Sequence, residues 1–276
     1  MGIDDVLARV SRPADTANRE DKKAYAEAVA KEMALEVSRL LREKGVSECL
    51  PDPATGRGGE RQIATGSGSK QVDVSLARDT TGLIFAISLK SILSPDLTRL
   101  KKTEGREFYF AKNLPNRKEE MVAEASVLHK RFPFAVLGGL FFLDRRAAED
   151  NKYARYGNVN STFIRAHRAF KPFTNRISHA DADEKFEFFA ICLCDNKPSH
   201  SLHWVGRPEE EITLDDYLDA LLQRVAEVNS DYFDFKDGRF IDLRKRQLKE
   251  EFRRPRKGNE AVDEMGGTDE SLDEQD

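Results

Sequence analysis

The chain is poor in cysteine, with Cys49, Cys192 and Cys194 among 276 residues. An odd count without a C-x-x-C spacing argues against both a disulfide framework and a zinc ribbon. Cys192 and Cys194 stand two apart in an apolar run, so on a strand they share one face as small buried hydrophobes. No run of about 18 apolar residues exists, which excludes an ordinary membrane-spanning helix. The N-terminus is charged rather than signal-like, and the expectation is a soluble cytoplasmic protein. Strong net charge is also missing. The total is −4 although 34% of residues are charged, so any attraction to a polyanion must come from local patches. Residues 258–276 are acidic and almost free of apolar side chains; they read as a disordered tail behind a single domain spanning 1–257. Without them the chain is roughly neutral to basic.

Three common catalytic signatures are missing too. Gly56, Gly58, Gly59, Gly66 and Gly68 suggest a phosphate loop, yet G-x-x-x-x-G-K-[ST] is not present and the last glycines precede a strand. No G-x-S-x-G elbow supports a serine hydrolase. His200-x-x-His203 has no cysteine or acidic partner at finger spacing, which argues against zinc.

A hydrophobic content of 39% over this length suffices for a sizeable core. Tyr25, Val29, Met33, Val37, Leu40 and Leu41 recur at helical spacing over 19–44, with Thr16 or Asn18 as caps and Gly45 as the stop. Residues 46–69 are loop, with one short strand around 61–64. Val72, Val74 and Leu76 alternate with polar or small residues, and Leu83–Leu89 is apolar almost throughout, as in a central strand covered on both faces. Further expectations are a helix over 117–131 capped by Asn116, a strand over 134–143, a helix over 161–173, a strand over 186–194, a loop over 195–212 and a helix over 214–228 capped by Thr213. The order predicts an α/β fold with a central mixed β-sheet flanked by helices.

The informative stretch is Lys70–Lys90, read as two strands joined by a polar turn. Asp73 lies near the start of the first strand and Lys90 at the end of the second. Hydrolysing a phosphodiester requires carboxylates that hold a hard divalent cation, a positive group for the transition state, and a basic surface for the polyanion. Paired strands lie about 5 Å apart, so Asp73 and Lys90 can converge on one phosphate. The backbone carbonyl of Leu89 can add a metal ligand, and Lys70 adds positive charge beside the nucleic acid. The bland reading is that Asp73 pairs with Lys70 or Arg78 and that Lys90 is an ordinary strand-end lysine.

Lys70-x-x-Asp73-Val74, a turn, and a strand ending Ile87-Ser88-Leu89-Lys90 resemble the core of the PD-(D/E)xK, or restriction-endonuclease-like, nucleases. The order of elements over 19–143 is similar to that core. The resemblance implies Asp73 and Lys90 as catalytic residues, Mg²⁺ as cofactor and DNA as substrate, in a restriction-type or antiphage-defence nuclease that acts as a homodimer. It also implies an additional glutamate on the first helix. Glu36 is best placed as catalytic residue and metal ligand, and Glu32 is second. The usual second acid is replaced by Ser88, which cannot supply negative charge. A carboxylate from elsewhere, Glu36 or Glu60, must then complete the site. Failing that, the chain is a degenerate nuclease fold that binds nucleic acid without cutting it.

The segment 163–171 alternates aromatic and basic residues. It reads either as a helix whose Arg165, Arg168 and Lys171 contact phosphates, or as an amphipathic helix with a solvated basic face. The run over 244–257 is also basic, and pairing of the acidic tail with it would mask the site.

Overall fold

A computed structural model describes residues 2–59, 61–65, 68–79, 81–97, 109–150, 160–195 and 199–244. Glu60, the basic residues over 101–106, most of the run over 244–257 and the tail 258–276 lie outside the described residues.

Six strands form one mixed sheet in the order β3-β4-β5-β6-β7-β8. They are β3 (Val74–Arg78), β4 (Gly82–Ile92), β5 (Val136–Asp144), β6 (Phe188–Cys194), β7 (His200–Trp204) and β8 (Glu211–Ile212). β4, β5 and β6 run parallel, and the outer pairings are antiparallel. Parallel neighbours need crossover connections. Helix α3 (Leu114–Arg131) makes the first crossover and α4 (Thr162–Phe170) the second. Every residue of β5 is buried, as its continuous apolar sequence requires.

The two faces of β4 separate the two cores. Phe85, Ile87 and Leu89 pack with Val29, Met33, Val37 and Leu41 of α2 (Arg19–Glu43) and with α5 (Leu214–Val228). Ala86 and Ile92 pack with Met121, Ala125 and Leu128 of α3 and with Phe163 and Phe170 of α4. Strand alternation therefore puts Ser88 and Lys90 on the α3 side. Asn18 caps α2 by accepting from the Asp21 amide at 2.8 Å. Thr213 and Asp216 form a reciprocal capping box on α5.

The structure departs from the sequence expectations in several places. The stretch read as one strand around Asp73 is two. β2 (Gly68–Val72) pairs with β1 (Arg61–Thr65) in a separate two-stranded sheet, and β3 joins the main sheet. The loop expected over 195–212 contains β7 and β8. A short helix, α1 (Ile3–Arg9), precedes α2 and buries Ile3, Val6 and Leu7. A hairpin of β9 (Phe233–Lys236) and β10 (Arg239–Asp242) follows α5. Helix α3 begins at Leu114, three residues before its expected start, with Pro115 in its first turn. Among the described residues, no helix is long and apolar enough to cross a membrane.

Candidate active site

Asp73 sits where the chain leaves one sheet for the other. Val72 is buried in the core beneath α3, and Val74 is buried in the core beneath α2. Two residues apart on a continuous strand share one face, so burying these valines on opposite sides bends the chain at Asp73. The bend directs the carboxylate to the neighbouring strand: Asp73 Oδ2 accepts a hydrogen bond from the Leu89 amide at 2.7 Å. The same oxygen lies 3.8 Å from Lys90 Nζ. Thus the structure joins Asp73 and Lys90, with side chains 20% and 24% exposed. That exposure leaves the pair open to a bound polymer from one side only.

Behind this pair stands an acid that the sequence reading missed. Glu124 lies on the inward face of α3 between Met121 and Ala125, and it is 4% exposed. Burial pushes its carboxyl pKa up. The Lys90 ammonium and the Ser88 hydroxyl draw it down, the nearby Asp73 carboxylate raises it, and Lys70 lowers it. Five groups from β2, the bend, β4 and α3 therefore share one electrostatic environment. Ser88, 3% exposed, faces Glu124, but its Oγ has no hydrogen bond of good geometry. A buried carboxylate beside a second carboxylate and an unpartnered hydroxyl is a costly arrangement unless a cation or ordered water joins them.

Glu36 does not complete this group. It lies on α2, whose apolar stripe packs on the opposite face of β4 from α3. Arg39 occupies both of its oxygens, with Nε to Oε2 at 2.9 Å and Nη2 to Oε1 at 2.8 Å. It is 3% exposed and forms an internal ion pair, so the sequence assignment of Glu36 as catalytic residue and metal ligand is corrected. The physical reason is that an arginine one turn on neutralises it inside the core. Glu60, the other expected donor, lies outside the described residues.

Lys70 flanks the site on β2, where it is the register partner of Ile63. Arg165, Arg168 and Lys171 stand on or just after α4, on the same side of the sheet as Glu124. Arg168 and Lys171 are exposed, whereas Arg165 is half-buried near Asp150. Phe163, Ala166 and Phe170 form the buried face, so α4 is amphipathic with a basic outer side. His200 bonds Asp4 at 2.7 Å and His203 bonds Ser201 at 3.0 Å. Cys192 and Cys194 share a buried face with their sulfurs 3.7 Å apart. Among the described residues, no three His, Cys, Asp or Glu side chains group as a metal site.

The donors that do converge suit a hard cation. Asp73, Glu124 and the Leu89 carbonyl are oxygen ligands, and Mg²⁺ is usually held by one or two carboxylates, with waters and substrate phosphate filling the remaining positions. One signal in the sequence marks Glu124. It occupies the apolar stripe of α3, at the spacing Met121, Glu124, Ala125, Leu128, where a carboxylate needs a reason to be buried. Comparison with protein-family models, curated proteins and solved structures finds no match for this chain.

Proposed function

We propose that this chain is a Mg²⁺-dependent endonuclease that hydrolyses DNA phosphodiester bonds, with a PD-(D/E)xK-like site in which Glu124 replaces the acid missing at Ser88. The observation that carries this reading is the convergence of Asp73, Lys90 and Glu124 on adjoining elements. Asp73, Glu124 and the Leu89 carbonyl would hold the cation. When bound, Mg²⁺ would neutralise phosphate charge and lower the pKa of water.

The chain's own groups perform the remaining tasks. The Leu89 amide fixes Asp73 through the 2.7 Å bond, so one carboxylate oxygen is oriented before substrate arrives. Lys90 Nζ lies beside that oxygen and is positioned to donate to a phosphate oxygen or to the attacking water, stabilising charge that builds in the transition state. The raised pKa of Glu124 makes its affinity for a proton and for a cation compete, so metal loading rises with pH. Lys70 and the outer basic side of α4 supply phosphate contacts. The restriction-type or antiphage setting, and action as a homodimer, are what the resemblance implies for such a chemistry.

A plasmid-cutting assay with Mg²⁺ tests the reading. Wild type should cut, while Asp73→Ala, Lys90→Ala and Glu124→Gln should each lose at least about a hundredfold in rate, the scale of one transition-state contact. Cutting that survives all three substitutions rejects the site. The presence of Ser88 at the acidic position, with two carboxylates rather than three, favours a second reading: a nucleic-acid-binding protein that does not cut. No cutting together with DNA binding that weakens steeply as salt rises selects that alternative.

A further inference from the structure

We propose that the outer face of the β1–β2 ribbon reads base edges in the major groove of duplex DNA, with Gln62 and Gln71 addressing adenine; this rests on the nuclease reading for the placement of DNA at Asp73. The ribbon is a two-stranded antiparallel sheet of its own, outside the six-stranded sheet. Its inner face carries Ile63 and Val72, both buried beneath α3, and Lys70, whose charge reaches Glu124. Alternation turns Gln62, Ala64, Ser69 and Gln71 outward, and all four are exposed.

The composition of that outer face is unusual for this chain. Although 34% of its residues are charged, none of these four is. An ordinary solvated ribbon in so charged a chain would carry lysine or glutamate here. These four are instead types that read base edges. A glutamine amide can both accept from adenine N6 and donate to N7, serine can contact any base, and alanine can pack on the thymine methyl. Gln62 and Gln71 are register partners, as are Ala64 and Ser69. Partner side chains start about 5 Å apart, close enough to address one base pair or two successive ones.

Placement next to the chemistry adds a second argument. Gln71 precedes Asp73 by two residues, about 7 Å of strand. A phosphodiester held at Asp73 therefore brings its adjoining groove to the ribbon. The B-DNA major groove, about 12 Å wide, admits a two-stranded ribbon. The deep and narrow major groove of A-form RNA does not.

Selection from a random duplex DNA library by binding, run in parallel with Mg²⁺ cleavage of the same library, tests the proposal on full-length protein. Wild type should enrich sequences with adenine at one or two fixed positions. The double variant Gln62→Ala/Gln71→Ala should lose that preference by about 5- to 100-fold, the discrimination of one good bidentate contact, with an unchanged thermal midpoint because both side chains are exposed. No enrichment by wild type, or the same enrichment by the variant, overturns the ribbon reading. Cutting without preference overturns it while leaving the nuclease reading intact. Selective binding without cutting supports the ribbon and rejects the nuclease. Selection of duplex RNA in place of DNA overturns the groove assignment.

Discussion

Replacing Glu124 with glutamine separates a metal-holding carboxylate from a structural one, because the two roles move stability in opposite directions. Burial raises the Glu124 pKa. The folded protein therefore holds this proton above the unfolded value of 4.5. Stability from this group is full below that value and falls as pH rises toward the folded pKa, because the folded state then binds more protons than the unfolded chain. Glutamine keeps the shape and does not titrate. In Mg²⁺-free buffer at neutral pH, Glu124→Gln should melt at or above the wild-type temperature, and that advantage should vanish near pH 4. Mg²⁺ should reverse the order. The 3.8 Å separation of Asp73 and Lys90 shows the scale of charge coupling in this site: about 4 kcal/mol for unit charges at an effective dielectric near 20. Removing one carboxylate from a divalent ion at comparable range weakens binding by a similar amount, roughly a thousandfold in affinity. At a Mg²⁺ concentration about ten times the dissociation constant, wild type gains roughly 1.4 kcal/mol, or about 3–6 °C for a domain of this size. Glu124→Gln should gain almost nothing. The assay is thermal unfolding with and without Mg²⁺ from pH 4 to 8, beside plasmid cutting. An equal Mg²⁺ shift in both proteins, or undiminished cutting by Glu124→Gln, refutes the assignment.

Other perturbations test neighbouring parts of the structure. Glu36→Gln should leave cutting within about threefold while costing about 1–3 kcal/mol in urea unfolding, because it breaks a buried bidentate pair with Arg39. His167 accepts from the Gly206 amide at 3.1 Å and is held neutral by burial, with its pKa pushed down to about 4. Its contribution is present above the unfolded value of 6.5 and is lost as pH falls toward 4, by roughly 3 kcal/mol in all; urea titrations of His167→Asn should show a flatter profile over that window. Gly138→Ala places a Cβ 2.3 Å from the Tyr217 hydroxyl and 2.8 Å from a Leu221 methyl, inside the fully buried β5. Calorimetry should register a loss of about 1–3 kcal/mol from overpacking, and an unchanged midpoint would show that α5 yields at this contact.

Local pattern determined much of this molecule. Thr213 and the apolar stripe after it specify α5 to the residue, because a capping box and helical spacing act within one segment. The same holds for the stripe of α2 and for β5, whose apolar run has no stable place except a doubly covered strand. The strand pair carrying Asp73 and Lys90 was legible for the same reason. What only the tertiary structure decided depends on partners distant in sequence. The HSLHW segment of β7 lacks a strong strand pattern and becomes a strand because β6 presents backbone groups that need partners. Helix α1, seven residues long, is too short to hold alone and forms against α2. The bend at Asp73 exists because Val72 and Val74 are claimed by cores on opposite faces of the sheet. Glu36 and Glu124 are both glutamates on helices that flank β4. Which one meets Asp73 is a matter of which face of the sheet each helix covers, and crossover topology sets that rather than any property of the residues themselves.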